Sequence, residues 1–153
     1  MHTPEEKAKS ETFCALPWIS LATSPSGSLR ICCNSGSQQL KNEGGKTYKI
    51  YRISSIEEAW NSSLLKETRL KMLRGERPEI CRKCHREEDA GVRSLRQTSN
   101  ERWDASLKEF GSSTKEDGTA PIMVKYLDLR LGNLCNLRCR TCSPYSSNQL
   151  VKE

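Results

Sequence analysis

The sequence predicts a small α+β protein: a cysteine-rich β-hairpin followed by helices, then one further strand that leads into a second cysteine-rich loop. Three observations carry that prediction. Short runs containing Ile, Leu and Thr flank a turn-forming Ser24–Gly27, as a hairpin requires. From Ser54 to Phe110 the pattern changes to capped, helix-forming segments. Residues Ile122–Arg130 then alternate with period two before cysteines resume.

Along the chain, residues 1–12 read as a mobile polar tail. "PWISLATSPSGSLRICC" (17–33) forms the hairpin, with Pro25 and Gly27 supplying its turn, and 34–47 is a loop. "YKIYRI" (48–53) offers a third short strand. Ser54, with Glu57 three residues on, predicts a capped helix start. A second helix follows, capped by Asn61 or Ser62, with an apolar stripe of Leu65, Leu70 and Leu73 and a stop at Gly75 and Pro78. Cys84–Phe110 is helix-prone, with Gly91 as a kink. Residues 111–121 have the composition of a linker. The strand at 122–130 sets Met123, Lys125, Leu127 and Leu129 on one side and Ile122, Val124, Tyr126 and Asp128 on the other. After the last cysteines, Ser146 and Gln149 mark the start of another helix. The domain expectation is thus 1–12, 13–110, 111–121 and 122–153.

The 153 residues are 35% hydrophobic and 29% charged. Mean hydropathy is −0.72. Such a chain has little apolar material for a core, so solvated helices and help from a metal are expected. Net charge is +6. Nucleic-acid binding is not expected, because acidic residues interleave the basic runs. Arg82, Lys83, Arg86, Arg138 and Arg140 lie beside cysteines, where they could offset thiolate charge. No run approaches the ~18 apolar residues of a membrane span. The N-terminus lacks the apolar region of a signal peptide, so a reducing, cytoplasmic setting is expected. There, grouped cysteines are metal ligands more often than disulfides.

Eight cysteines fall into groups: Cys14; Cys32 and Cys33; Cys81 and Cys84; and Cys135, Cys139 and Cys142. A hairpin can bring Cys14 and Cys32 together, and the C-x2-C at Cys81 and Cys84 can close a four-thiolate site. Cys32 and Cys33 point to opposite faces of a strand, so they cannot share one role. Cys33 would then sit beside Leu29 and Ile31 as a small core residue. Zinc and [4Fe–4S] clusters use the same four thiolates, and both readings stay open. "CRKCH" (81–85) also has the form of a c-type haem attachment site or a redox pair, but without an export signal or a βαβ context. His85 reads as a helix cap or a solvated residue. Trp18, Trp60 and Trp103 read as core or shielding residues.

The stretch "GNLCNLRCRTC" holds C-x3-C-x2-C between a strand and a helix start. It resembles the signature of the radical S-adenosylmethionine (SAM) superfamily. That resemblance implies that Cys135, Cys139 and Cys142 hold a [4Fe–4S] cluster whose open iron binds SAM, on the first strand and loop of a (β/α) barrel. The cluster would cleave SAM to a 5′-deoxyadenosyl radical. Thr141 departs from the pattern, because an aromatic often precedes the last cysteine. The N-terminal cysteines, Gly27 and "SIEEAWNSSLLKETR" resemble the SPASM/twitch auxiliary-cluster domains that accompany such enzymes. The absence of cysteine between Cys84 and Cys135 fits the single-cluster, twitch form. In most relatives this module follows the barrel, whereas here it comes first. The glycine spacing of the family favours Cys32 over Cys33 as ligand. The resemblance further implies an electron donor such as flavodoxin or ferredoxin, and a peptide or small-molecule substrate. It also implies that residues 1–153 alone begin an enzyme without completing its active site. The competing expectation is a non-catalytic, cysteine-rich zinc-binding module.

Overall fold

The computed structural model describes residues 11–151; most of the predicted N-terminal tail therefore lies outside the described residues. Helices and a three-stranded sheet make an α+β fold. In chain order the helices are α1 (Leu16–Ile19), α2 (Ile56–Trp60), α3 (Ser63–Leu73), α4 (Arg82–Asp89), α5 (Leu95–Arg102) and α6 (Leu107–Ser112). The strands are β1 (Ser20–Thr23), β2 (Leu29–Arg30) and β3 (Tyr126–Asp128).

The hairpin forms as its residues require. β1 pairs antiparallel with β2, Ala22 facing Arg30 and Thr23 facing Leu29. Gly27 adopts φ +74, the left-handed conformation that a residue without Cβ accepts most easily, and its N–H donates to Ser24 O. Pro17 starts a short helix, so β1 begins at Ser20 rather than at residue 17. The third strand of the sheet comes from elsewhere than predicted. Residues 48–53 reach only an isolated bridge, Lys49 to Ser28, while β3 pairs parallel with the other edge of β1. The order is β2-β1-β3, with Ser20 opposite Tyr126 and Ala22 opposite Asp128. A strand 100 residues away in sequence is outside the reach of any local pattern.

The helices also differ in detail from the sequence reading. Ser55, not Ser54, caps α2, its hydroxyl accepting from Glu57 N. In α3 the buried face is Leu65, Thr68, Arg69 and Met72, whereas Leu70 and Leu73 are only half-buried. The stripe is turned because Arg69 goes inside. Its Nε donates to Pro17 O, Nη1 to Asn61 Oδ1 and Gly118 O, and Nη2 to Trp60 O. Burial lowers its pKa to about 10, so it stays charged at neutral pH. The helix-prone 84–110 stretch breaks after α4, where Gly91 takes φ +75. It restarts at Ser94, which makes a capping box with Gln97.

Two apolar clusters result. One gathers Phe13, Trp18, Ile19, Met72 and Phe110; the other Leu21, Leu29, Ile31, Leu40, Leu65 and Ile80. Cys81 packs against both. Trp18 and Trp60 are fully buried, and Trp103 is half-buried against the first cluster. Residues 111–121 are held against this body. Thr114 Oγ1 accepts from Trp18 Nε1 at 2.7 Å, and Pro121 O from Trp60 Nε1 at 3.1 Å. Gly118 (φ +85) lies so close to α3 that a Cβ would sit 2.5 Å from Lys66 O. These contacts carry the chain back under the sheet and deliver β3 to β1. Among the described residues no helix is long and apolar enough to cross a membrane.

Candidate iron–sulfur site and the second cysteine loop

Four thiols from three segments meet beside the first apolar cluster. Cys14 precedes α1 and Cys32 follows β2; Cys81 and Cys84 open α4 three residues apart, hence on one face. Cys14 and Cys84 are buried, while Cys32 and Cys81 are half-buried. They lie close enough to feel one another's charge. Burial, then Cys81 and Cys32, push the Cys14 thiol well up. Burial raises Cys32 to about 12, with Cys33 and Cys84 adding to the rise. Burial raises Cys81 as well, helped by Cys32 and Cys84, and the Arg96 guanidinium opposes the rise. Without a bound metal, Cys14, Cys32 and Cys81 are therefore neutral thiols at neutral pH.

The support around them is built by α4 and α5. Asn100 brackets Cys14: its Nδ2 donates to Phe13 O at 2.8 Å and its Oδ1 accepts from Ala15 N at 2.9 Å. Arg96 Nη1 also donates to Phe13 O, while its Nε and Nη2 grip Glu88 at 2.8 and 2.6 Å. Burial alone would raise the Glu88 carboxyl, but the bonds from Arg96 and Ser94 outweigh it and hold it below its ordinary range. Across the site, Asn34 Nδ2 approaches Cys84 Sγ at 3.7 Å and its Oδ1 accepts from Lys83 Nζ. Ser35 closes the turn after Cys32 through its N–H and hydroxyl on Cys32 O.

Sequence reasoning named all four thiols and missed this frame. It singled out Arg82, Lys83 and Arg86 as charge offsets, yet Arg82 pairs with Glu79, Lys83 with Glu87, and Arg86 is exposed. Arg96 and Arg30 are the cations that act on Cys81 and Cys32. The Ser94–Gln97 capping box was the available signal for α5, but nothing local says which segment a helix will touch.

His85 is neither a cap nor solvated. It is 4% exposed, neither ring nitrogen has a hydrogen-bond partner among the described residues, and Glu88 Oε2 stands 3.7 Å from Nδ1. Burial lowers its pKa. Cys33 does not settle beside Leu29 and Ile31 as a core residue. It is half-buried against β3, where burial and the Asp128 carboxylate raise its thiol. Its surroundings thus differ from those of Cys32, although both residues follow β2 rather than lying on it.

The second loop hangs from β3. Thr23 Oγ1 donates to Arg130 O and accepts from Arg130 N, which fixes the strand's exit. Asn148 Oδ1 accepts from Cys135 N at 3.0 Å, and Ser147 Oγ donates to Leu137 O at 2.9 Å. Cys142 N bonds Cys139 O, closing a turn. Cys139 is exposed, and Cys135 and Cys142 are half-buried. Where a helix start was expected at Ser146, the described residues form a 3-10 turn, Asn148–Leu150. β3 itself spans only Tyr126–Asp128, with Tyr126 packed on the first cluster and Leu127 and Leu129 exposed.

Among the described residues, no three His, Cys, Asp or Glu side chains converge tightly enough to hold a single metal ion. The donor set of the first group, four thiols without histidine or carboxylate, fits an iron–sulfur centre. Comparison with known families agrees: residues 14–85 match the SPASM family model, an iron–sulfur cluster-binding domain. The match begins at Cys14 and ends just after Cys84, so it encloses all four thiols. Residues 14–85 are thus similar to an iron–sulfur cluster-binding domain. No curated protein matches the chain. No solved structure matches it either.

Proposed function

We propose that this chain is part of a radical SAM enzyme. In this reading Cys14, Cys32, Cys81 and Cys84 hold an auxiliary [4Fe–4S] cluster, and Cys135, Cys139 and Cys142 hold a second that binds SAM. The observation that carries the reading is the gathering of four thiols, from three segments, inside the matched stretch. When bound, the second cluster would supply the electron that cleaves SAM to a 5′-deoxyadenosyl radical.

The chain's own residues have distinct tasks. Asn100 and Arg96 hold the Cys14 segment so that its thiol faces those of α4. The burial of Cys14 and Cys84 keeps water from the auxiliary site. Loading requires the thiols to lose their protons, so binding releases protons and strengthens as pH rises. Ser147 and Asn148 shape the second loop, whose three cysteines would hold the cluster that binds SAM. A barrel continuing from β3 would cover the exposed Leu127, Leu129, Leu131 and Leu134. The substrate in this reading is a peptide or small molecule, the electron donor a flavodoxin or ferredoxin, and the setting the cytoplasm.

Anaerobic reconstitution with iron and sulfide tests the reading. Brown protein with about eight irons per chain is expected. A colourless protein with one zinc per chain and no sulfide would replace it with the non-catalytic zinc-module reading.

A further inference from the structure

Among the described residues three arginines are buried, and they are satisfied differently. Arg96 faces the Glu88 carboxylate. Arg69 places all three of its nitrogens on oxygens. Arg30, 9% exposed, has neither arrangement. Its Nη2 donates to Cys33 O and Gly36 O, its Nε is enclosed without an acceptor, and Nη1 has no hydrogen bond among the described residues. No carboxylate pairs with it among those residues. A buried cation without a counter-charge is strongly unfavourable.

Arg30 lines a cleft of about 360 Å³. Ser24, Gly36, Ser37, Gln39 and Tyr145 make the rest of its wall. None of these is acidic, and the hydroxyls and the carboxamide can bond to oxygen. We propose that this cleft binds a carboxylate, borne by a small molecule or a peptide end, with Arg30 as its cationic partner. Arg30 Nη1 is left to donate to a carboxylate oxygen, and the single positive charge matches one carboxylate. A phosphate dianion would call for a second cation, and none lines the cleft. Tyr145 lies three residues beyond Cys142, so the bound group sits next to the second cysteine loop. The inference goes beyond the cluster reading and concerns the metal-free chain, where the neighbouring Cys32 is a neutral thiol and gives Arg30 no counter-charge.

Isothermal titration calorimetry of the full chain with N-acetylglycine, N-acetylglycinamide and inorganic phosphate tests it. The acid should bind saturably and the amide should not. Arg30→Gln removes the charge but also the bonds that hold the Cys32–Gly36 turn, so Ser37→Glu is the deciding variant. Ser37 is exposed, and a glutamate there would supply the missing charge. Acid binding should weaken at least about tenfold in Ser37→Glu. Equal binding of acid and amide, tighter binding of phosphate, unchanged binding in Ser37→Glu, or no saturable binding would each overturn the proposal.

Discussion

Cys14 and Cys84 are 7% exposed, and the Cys14 backbone is clamped from α5, whereas Cys139 stands open on a loop whose Leu131 and Leu134 are 83% and 90% exposed. The first cysteine group is assembled from segments up to 70 residues apart and depends on the whole fold. The second lies within eight residues and is shaped by a few bonds from Ser147, Asn148 and its own turn. A long-range site and its fold stabilise each other, because the metal that joins the segments also closes the chain. A local site can be altered with little effect on the rest.

The largest expected effect tests that contrast directly. In reconstituted protein, Cys84→Ala should lose about four irons and at least about 3 kcal/mol of stability in urea. Replacing Cys135, Cys139 and Cys142 together by Ala should also lose about four irons, yet shift stability by no more than about 0.5 kcal/mol. Equal destabilisation by the two variants would remove the distinction. Next comes Asn100→Ala, which strands Ala15 N and leaves Phe13 O only its bond from Arg96; a loss of about 2 kcal/mol is expected, against about 1 kcal/mol for Ser147→Ala. Denaturation curves of the two variants give the comparison.

A pH series separates metal-free from loaded protein. The Cys32 thiol, ordinarily near 9.0, is pushed up to about 12 by burial. In the unfolded chain it ionises first, so its contribution is complete below pH 9.0 and is lost as pH rises through about 12. Metal-free protein should therefore melt at progressively lower temperature above pH 9.0, while loaded protein, with its thiolates committed to metal, should not follow that slope. The smallest effect concerns His85. Its pKa is lowered by burial, so its contribution is present above its ordinary 6.5 and is lost as pH falls. His85→Leu should flatten that acid limb while changing stability at pH 7 by no more than about 1 kcal/mol. An unaltered acid limb would assign the acid sensitivity to other groups.

Much of the site was legible because cysteine is rare and its spacing is informative. The hairpin turn at Gly27 and the C-x2-C at a helix start follow from short-range rules. The helix faces were less legible. Leu70 and Leu73 looked like core residues because apolarity was read as burial, yet Arg69 takes the inside position by finding four oxygens there. Residues 111–121 looked loose because Gly, Ser and Asp favour turns, but their close contacts with Trp18, Trp60 and α3 use that same compactness for packing.

The sequence by itself determined which side chains can bind metal and where the hairpin turns. Those are properties of residue type and of backbone period, which neighbours in the chain already define. Only the tertiary structure decided that β3 joins β1 in parallel, that α5 supplies the clamp around Cys14, and that Arg30 is buried without a carboxylate. Each of these depends on segments that meet across tens of residues, where hydrogen-bond satisfaction and burial, rather than local propensity, choose the partner.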